Sequence, residues 1–240
     1  MDRSHQLLEL DYRSLEQRIA ANALVILPVG ALEAHGPHLP LGADQIQAQV
    51  TSLELAERLG AVVAPPVPYG SAPSARRFPG TVSLSIAELE TYVAGVLSEL
   101  ARHGARRFLV LSGHGERGHI AALREAGERV MREHREARVV VLCDYDFVYE
   151  LRGKDAPTTD GHAGLLETSR MMALAPGTVG PERPVGVYRH SPFVPGSASE
   201  ADWPESVIGD TRPANAELGH KIQRYVLQRL VETVTTLLPA

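Results

Sequence analysis

Cysteine is nearly missing from this chain of 240 residues, with Cys143 the only one. That excludes an internal disulfide framework and any cysteine-built metal site. An excess of positive charge is missing too. With 24 basic and 29 acidic side chains the formal net charge is −5, whereas a nucleic-acid binder carries a basic patch. Long apolar runs are absent. The longest uncharged stretch near the N-terminus, Ile19 to Leu32, is too short for a bilayer and is interrupted by Asn22, Pro28 and Gly30. The first residues lead into mixed polar sequence without an apolar signal core, so the expected location is cytoplasmic. No Gly-x-Ser-x-Gly elbow occurs, which speaks against a serine hydrolase. Internal repeats and low-complexity tracts are lacking as well. What remains is 44% apolar and 22% charged, the composition of a soluble globular protein, expected to form a single domain over residues 1–240.

Short apolar runs alternate with amphipathic stretches. Ala23–Leu27, Ala61–Ala64, Phe108–Leu111 and Arg138–Cys143 read as buried strands. Helical spacing covers about 44–59, 86–103, 118–134 and 214–238, with Asp44 at an N-cap position and Gly104 as a natural C-cap. Strands and helices alternating at these lengths predict an α/β fold with a mainly parallel central sheet covered on both faces. The stretches 65–80 and 176–213, rich in Pro and Gly, read as functional or interface loops.

Chemistry concentrates just beyond the strands, where open parallel sheets place their ligand crevice. After the first strand come Glu33 and His35, two apart, so that an extended backbone turns both side chains one way. Asp44 follows at the start of a helix. After the third strand, His114 and Glu116 repeat the same spacing around Gly115. Two imidazoles and three carboxylates without a thiolate suit Zn, Mn or Fe, and hold two ions if one carboxylate bridges. A metal pair acidifies a water and polarises a carbonyl. In the segment from Asp160 to Ser169, His162 suits proton transfer to a leaving amine. Glu167 suits orienting that histidine or a metal-bound water. Helix capping and turn chemistry are the alternative for both. His38, between Pro37 and Leu39, reads as a turn-packing residue, and His5, His103, His134, His190 and His220 read as helix-face, helix-end, loop or terminal residues.

The run from Pro28 to Asp44 (PVGALEAHGPHLPLGAD) resembles the signature of the creatininase (creatinine amidohydrolase) family. Phe78–Leu84 (FPGTVSL), Ser112–Gly115 (SGHG), His162–Gly164 with Glu167–Ser169, and Val207–Asp210 before a long helix are similar to its later blocks, in the same order. The resemblance implies a three-layer α/β/α fold, two divalent metal ions (Zn2+ with Zn2+, Mn2+ or Fe2+), hydrolysis of a small or cyclic amide by a metal-bridging hydroxide, and a homo-oligomer, commonly a hexamer. Carried over by position, it implies that Glu33 and His114 hold one metal, His35 with Glu116 the other, and Asp44 bridges. His162 would act as proton donor. Ser74, Arg76 and Gly115 are the expected substrate-binding residues, a guanidinium of Arg76 or Arg77 suiting an anionic group unless that loop is merely solvated.

Departures from the pattern bear on the substrate. Gly161 precedes His162, Thr158 stands where one family tryptophan is expected, and the single tryptophan, Trp203, lies far downstream. The expected partner is therefore a small-molecule amide of unspecified identity. The alternatives are a peptidase of the mycofactocin type, which trims a peptide precursor, and a non-catalytic metal-stabilised scaffold.

Overall fold

A computed structural model describes residues 5–191 and 199–239. Helix α1 (Tyr12–Ala20) precedes β1 (Leu24–Val29), α2 (Ala43–Leu59) and β2 (Val62–Val63). Helix α3 (Ile86–Arg102), β3 (Arg107–Ser112), α4 (Arg117–Glu133) and β4 (Arg138–Cys143) follow. The short helix α5 (Asp144–Val148), α6 (Leu165–Leu174), the two-residue strands β5 (Val185–Gly186) and β6 (Gly209–Asp210), and α7 (Ala216–Leu237) complete the order.

Strands β2, β1, β3 and β4 lie in that order, all parallel, with Val25 opposite Phe108 and Phe108 opposite Val139. Side chains alternate across the sheet. Val25, Leu27, Phe108 and Val110 face α3 and α4, packing on Leu89, Val93, Leu97, Leu123 and Val130. Leu24, Ile26, Leu109 and Leu111 face the opposite way, onto Leu55 of α2 and Ile222, Val226 and Leu230 of α7. Both faces of the sheet are therefore covered, which is why its strands are apolar throughout their interiors, with Arg107, Ser112 and Arg138 only at strand ends. The layers are helix, sheet, helix, as an α/β protein of three layers requires.

Two crossovers fix where the chemistry sits. The chain leaves β1 towards β2 on one side, then returns through α3 to β3 on the other, so the sheet has its switch point between β1 and β3. The loops carrying Glu33, His35 and Asp44 after β1, and His114 after β3, open on that crevice. Gly113 makes the approach close: a Cβ there would stand 2.1 Å from the carbonyl oxygen of Asp44. The first turn of α2 therefore lies directly on the end of β3.

The strands extend one or two residues differently from the sequence reading, and three helices appear where it placed none: α1, α5 and α6. Helix α6 has no apolar stripe to read, because Glu167, Thr168, Ser169 and Arg170 are all buried. Arg170 pairs with Asp144 at 2.8 Å and donates to Gln223 of α7 and Thr51 of α2. Polar partners rather than burial of apolar surface hold that side of the helix in place.

Candidate metal centre

Two loops, after β1 and β3, and the first turns of two helices, α2 and α6, deliver the polar cluster to the C-terminal edge of the sheet. Asp44 occupies the first turn of α2, where a negative charge meets the positive end of the helix. Its carboxylate is shared between two histidines: Oδ1 lies 3.1 Å from His35 Nε2 and Oδ2 lies 3.0 Å from His114 Nδ1. Glu33 Oε2 approaches the same His114 nitrogen at 3.1 Å, and Glu167 Oε1 approaches His35 Nε2 at 3.4 Å. All five side chains are buried.

The outward nitrogen of each ring is fixed by main-chain acceptors. His35 donates from Nδ1 to the carbonyl of Glu33 at 2.9 Å, which turns Nε2 to the carboxylates. His114 donates from Nε2 to the carbonyl of Ser71 at 3.1 Å, which turns Nδ1 to the carboxylates. Glu167 is steadied by the amide N–H of Ala163 at 2.7 Å and by the side-chain amide of Gln47 at 3.1 Å. Tyr145 in turn donates to Gln47 at 2.9 Å. The N-terminus of α6 is closed by Asp160, whose carboxylate accepts from the amides of Leu165 and Leu166 at 2.7 and 3.1 Å.

Burial works against charge on every member, and the neighbours overrule it. Desolvation would raise the carboxyl of Asp44, yet His35 and His114 hold it well below the usual range. Glu33 is held down by His114 and His162, and Glu167 by His35, the latter to about 2, each against the same desolvation. Burial would strip the proton from His35 and His114. Asp44 with Glu167 in the first case, and Glu33 with Asp44 in the second, push both well above the ordinary imidazole value.

These residues suit a cation. Glu33 Oε2 and Asp44 Oδ2 are buried and accept no well-directed hydrogen bond, an arrangement that costs free energy unless a positive charge answers it. Three triads bring one donor atom each to within 4.8 Å of one another: Glu33, Asp44 and His114; His35, Asp44 and Glu167; and Glu33, His35 and His162.

One position differs from the carried-over assignment. Glu116 does not stand beside His35. Its Oε2 is 3.8 Å from Nε2 of His114, on the side of that ring turned away from Asp44, and its Oε1 accepts from Ser74 at 3.0 Å. Glu167, expected only to orient, occupies the place beside His35. Glu116 sits at the N-cap position of α4 without a side-chain cap bond and lines the cavity, whereas Glu167 stands in the first turn of α6, inside the cluster.

A cavity of about 210 Å3 opens onto the cluster, lined among others by Ser74, Gly115, Glu116, Tyr149, Tyr188 and Trp203. His162 lines it too, donating from Nε2 to the carbonyl of Ala34 at 2.9 Å with its ring 4.3 Å from that of His35. Arg76 points away: it is exposed and lies outside the lining. Arg77 instead donates to the carbonyl of Trp203 and stacks on Phe78. Among the described residues, no arginine lines the cavity. Sequence reading missed the aromatic wall. Trp203 packs edge-on against His162 at 5.1 Å and against Tyr188 at 5.3 Å. Its isolation along the chain carried no sign of this, although a single buried tryptophan is itself a signal worth following. His38 is buried and donates to Thr168 of α6 at 2.8 Å, consistent with packing.

Fold and site together define an α/β protein with a buried carboxylate–imidazole cluster at the switch point of its sheet. The family model described as creatinine amidohydrolase matches residues 8–234. The creatinine amidohydrolase of Pseudomonas putida is 33% identical over 94% of this chain and 94% of its own. The mycofactocin precursor peptide peptidase of Mycolicibacterium smegmatis is 36% identical over 65% of this chain and 60% of its own. Two solved creatininases, a manganese form and a mutant of the Zn–Zn type, superpose with TM-scores of 0.90 and 0.89. Both are 30% identical over 98% of this chain, and 99% and 98% of theirs is covered. The chain belongs to the creatininase family and is a hydrolase of that family.

Proposed function

We propose that this protein is a metal-dependent amidohydrolase that cleaves the C–N bond of a small or cyclic amide. The observation that carries the reading is the carboxylate of Asp44, which offers one oxygen to each of two buried imidazoles. Glu33, Asp44 and His114 would hold one divalent cation, and His35, Asp44 and Glu167 a second. Zn2+ with Zn2+, Mn2+ or Fe2+ suits a donor set of nitrogen and oxygen without thiolate. When bound, such a pair lowers the pKa of a water and polarises the amide carbonyl.

The chain's own groups do the rest. His162 uses Nε2 on Ala34, which leaves Nδ1 to take the proton released by the attacking water and to return it to the amide nitrogen as the C–N bond breaks. Ser74, Gly115 and Glu116 line the cavity and orient the substrate. Trp203 and Tyr188 supply an apolar wall that excludes bulk water. A cavity of about 210 Å3 suits a small amide. Likeness to the mycobacterial peptidase supports a second reading, removal of a short piece from a peptide precursor. A scaffold without catalysis has no use for His162 beside the cluster.

Metal analysis of the purified protein, combined with hydrolysis assays on creatinine, lactams, formamides and short peptides, tests the proposal. The expected result is two equivalents of metal and turnover of a small amide that chelation abolishes and metal restores. Cleavage confined to peptides selects the second reading. Bound metal without hydrolysis of any member of the set overturns both.

A further inference from the structure

His119 belongs to no motif considered so far, yet it is fully buried against His114, the two rings meeting edge to face at 4.8 Å. Its hydrogen bonds leave one arrangement of protons. The main-chain N–H of Ser71 can only donate, and it points at Nδ1 of His119 at 3.2 Å, so that nitrogen is the acceptor. The ring proton therefore sits on Nε2, which donates to the hydroxyl of Ser112 at 3.1 Å. Ser112 passes its own proton to the carbonyl of His114 at 2.8 Å and accepts from the amide of His114 at 3.1 Å.

Ser71 is thereby gripped from both sides. Its N–H is fixed by His119, and its carbonyl accepts from Nε2 of His114. Gly70 permits the approach: a Cβ there would stand 2.6 Å from the carbonyl of Gly30 and 2.7 Å from the His119 ring. The loop is anchored further by the amide of Leu84 on Gly70 and by the amide of Ala72 on Ser83.

We infer that His119 is a positioning residue that acts through Ser71 and Ser112 to hold His114 with Nε2 protonated and Nδ1 aimed at Glu33 and Asp44. It grips the ring through one partner and the main chain through the other. The inference rests on the reading of His114 as a metal ligand, and it assigns to this chain an imidazole that prepares another imidazole for a cation. Partners of this kind typically change metal affinity by about 10- to 100-fold.

The test compares His119→Leu, which fills the space but neither accepts nor donates, with His119→Gln, which can do both. Zn2+ affinity is measured by competition with a chromophoric chelator, and the geometry is read from the absorption spectrum of the Co2+ form. His119→Leu is expected to bind at least about 10-fold more weakly, with an altered Co2+ spectrum, and His119→Gln to restore most of the loss. A folded His119→Leu protein with wild-type affinity and spectrum overturns the inference. Should that variant fail to fold, ring-nitrogen NMR of the Zn2+-loaded wild type decides. Protons on Nε2 of both His119 and His114 support the inference, and a proton on Nδ1 of either overturns it. A wild-type protein that takes up no Zn2+ overturns the metal reading as well, an outcome distinct from equal binding by wild type and variant.

Discussion

Glu167 brings its Oε1 to 3.4 Å from Nε2 of His35, joining the first turn of α6 to the loop that follows β1. That contact completes the second half of the cluster, and it gives Glu167 a weight that Glu116 lacks. Glu167→Ala is expected to lose about one equivalent of metal per chain and most of the activity. Glu116→Gln is expected to keep its metal and to change KM more than kcat. Metal content by mass spectrometry, set beside steady-state kinetics, checks both. Retention of two equivalents by Glu167→Ala would return that place to another ligand.

His162 donates to Ala34 and touches the cavity without sharing the Asp44 carboxylate. A group that moves a proton contributes about 10²- to 10⁴-fold to the rate. His162→Asn is therefore expected to lower kcat by a factor in that range while metal content stays at the wild-type level. Loss of metal with loss of rate would make it a ligand instead.

Asp160 closes α6 by accepting from the amides of Leu165 and Leu166. Removing such a cap costs about 1 kcal/mol. Asp160→Ala is expected to lower the free energy of unfolding in urea by about that amount or somewhat more, because the freed amides are buried. Asp160→Asn keeps an acceptor and should lose less. Unchanged stability in Asp160→Ala would mean that α6 is capped from elsewhere.

Between pH 7 and 5, above the range where the depressed carboxylates titrate, two buried histidines weaken the fold as pH falls. Burial, then the charge of His114, pulls His119 down to about 3. Burial, then Arg183, pulls His38 down to about 4. The unfolded chain binds protons at these rings near pH 6.5, and the folded chain does not. Stability is thus fully present above pH 6.5 and is lost as pH falls, by up to about 1.4 kcal/mol per pH unit for each ring. His35 and His114, held above the ordinary value, act in the opposite direction and only above pH 6.5. Urea unfolding between pH 7 and 5 should therefore show a slope that His119→Gln reduces by about one proton. An unchanged slope would mean that His119 is already charged in the fold.

Much of this was legible beforehand because it follows local rules. The strands announce themselves by apolar runs, since both faces of the sheet are covered, and α3 by its helical spacing and the Gly104 that ends it. The loop from Gly30 to Asp44 displays its donors in one stretch. What stayed hidden depends on contacts between distant parts of the chain. Helix α6 carries buried polar residues that answer to Asp144, Thr51 and Gln223, so no period of 3.6 residues marks it. The pairing of Glu116 with His35 came from the family resemblance; in the fold Glu116 sits at the N-cap position of α4 beside Ser74, and the contact that brings Glu167 to His35 depends on the docking of α6. Arg77 is held by the carbonyl of Trp203, far off in sequence, a contact that no local pattern announces.

The order in which the donors occur along the polypeptide has a bearing on biogenesis. Glu33, Asp44 and His114 all belong to the β1–α4 portion, whereas the triad of His35 and Asp44 is incomplete until α6 has been made. A ribosome-bound chain thus acquires one complete triad well before the other. On the proposed two-metal reading, the second site waits for Glu167 to emerge and α6 to dock.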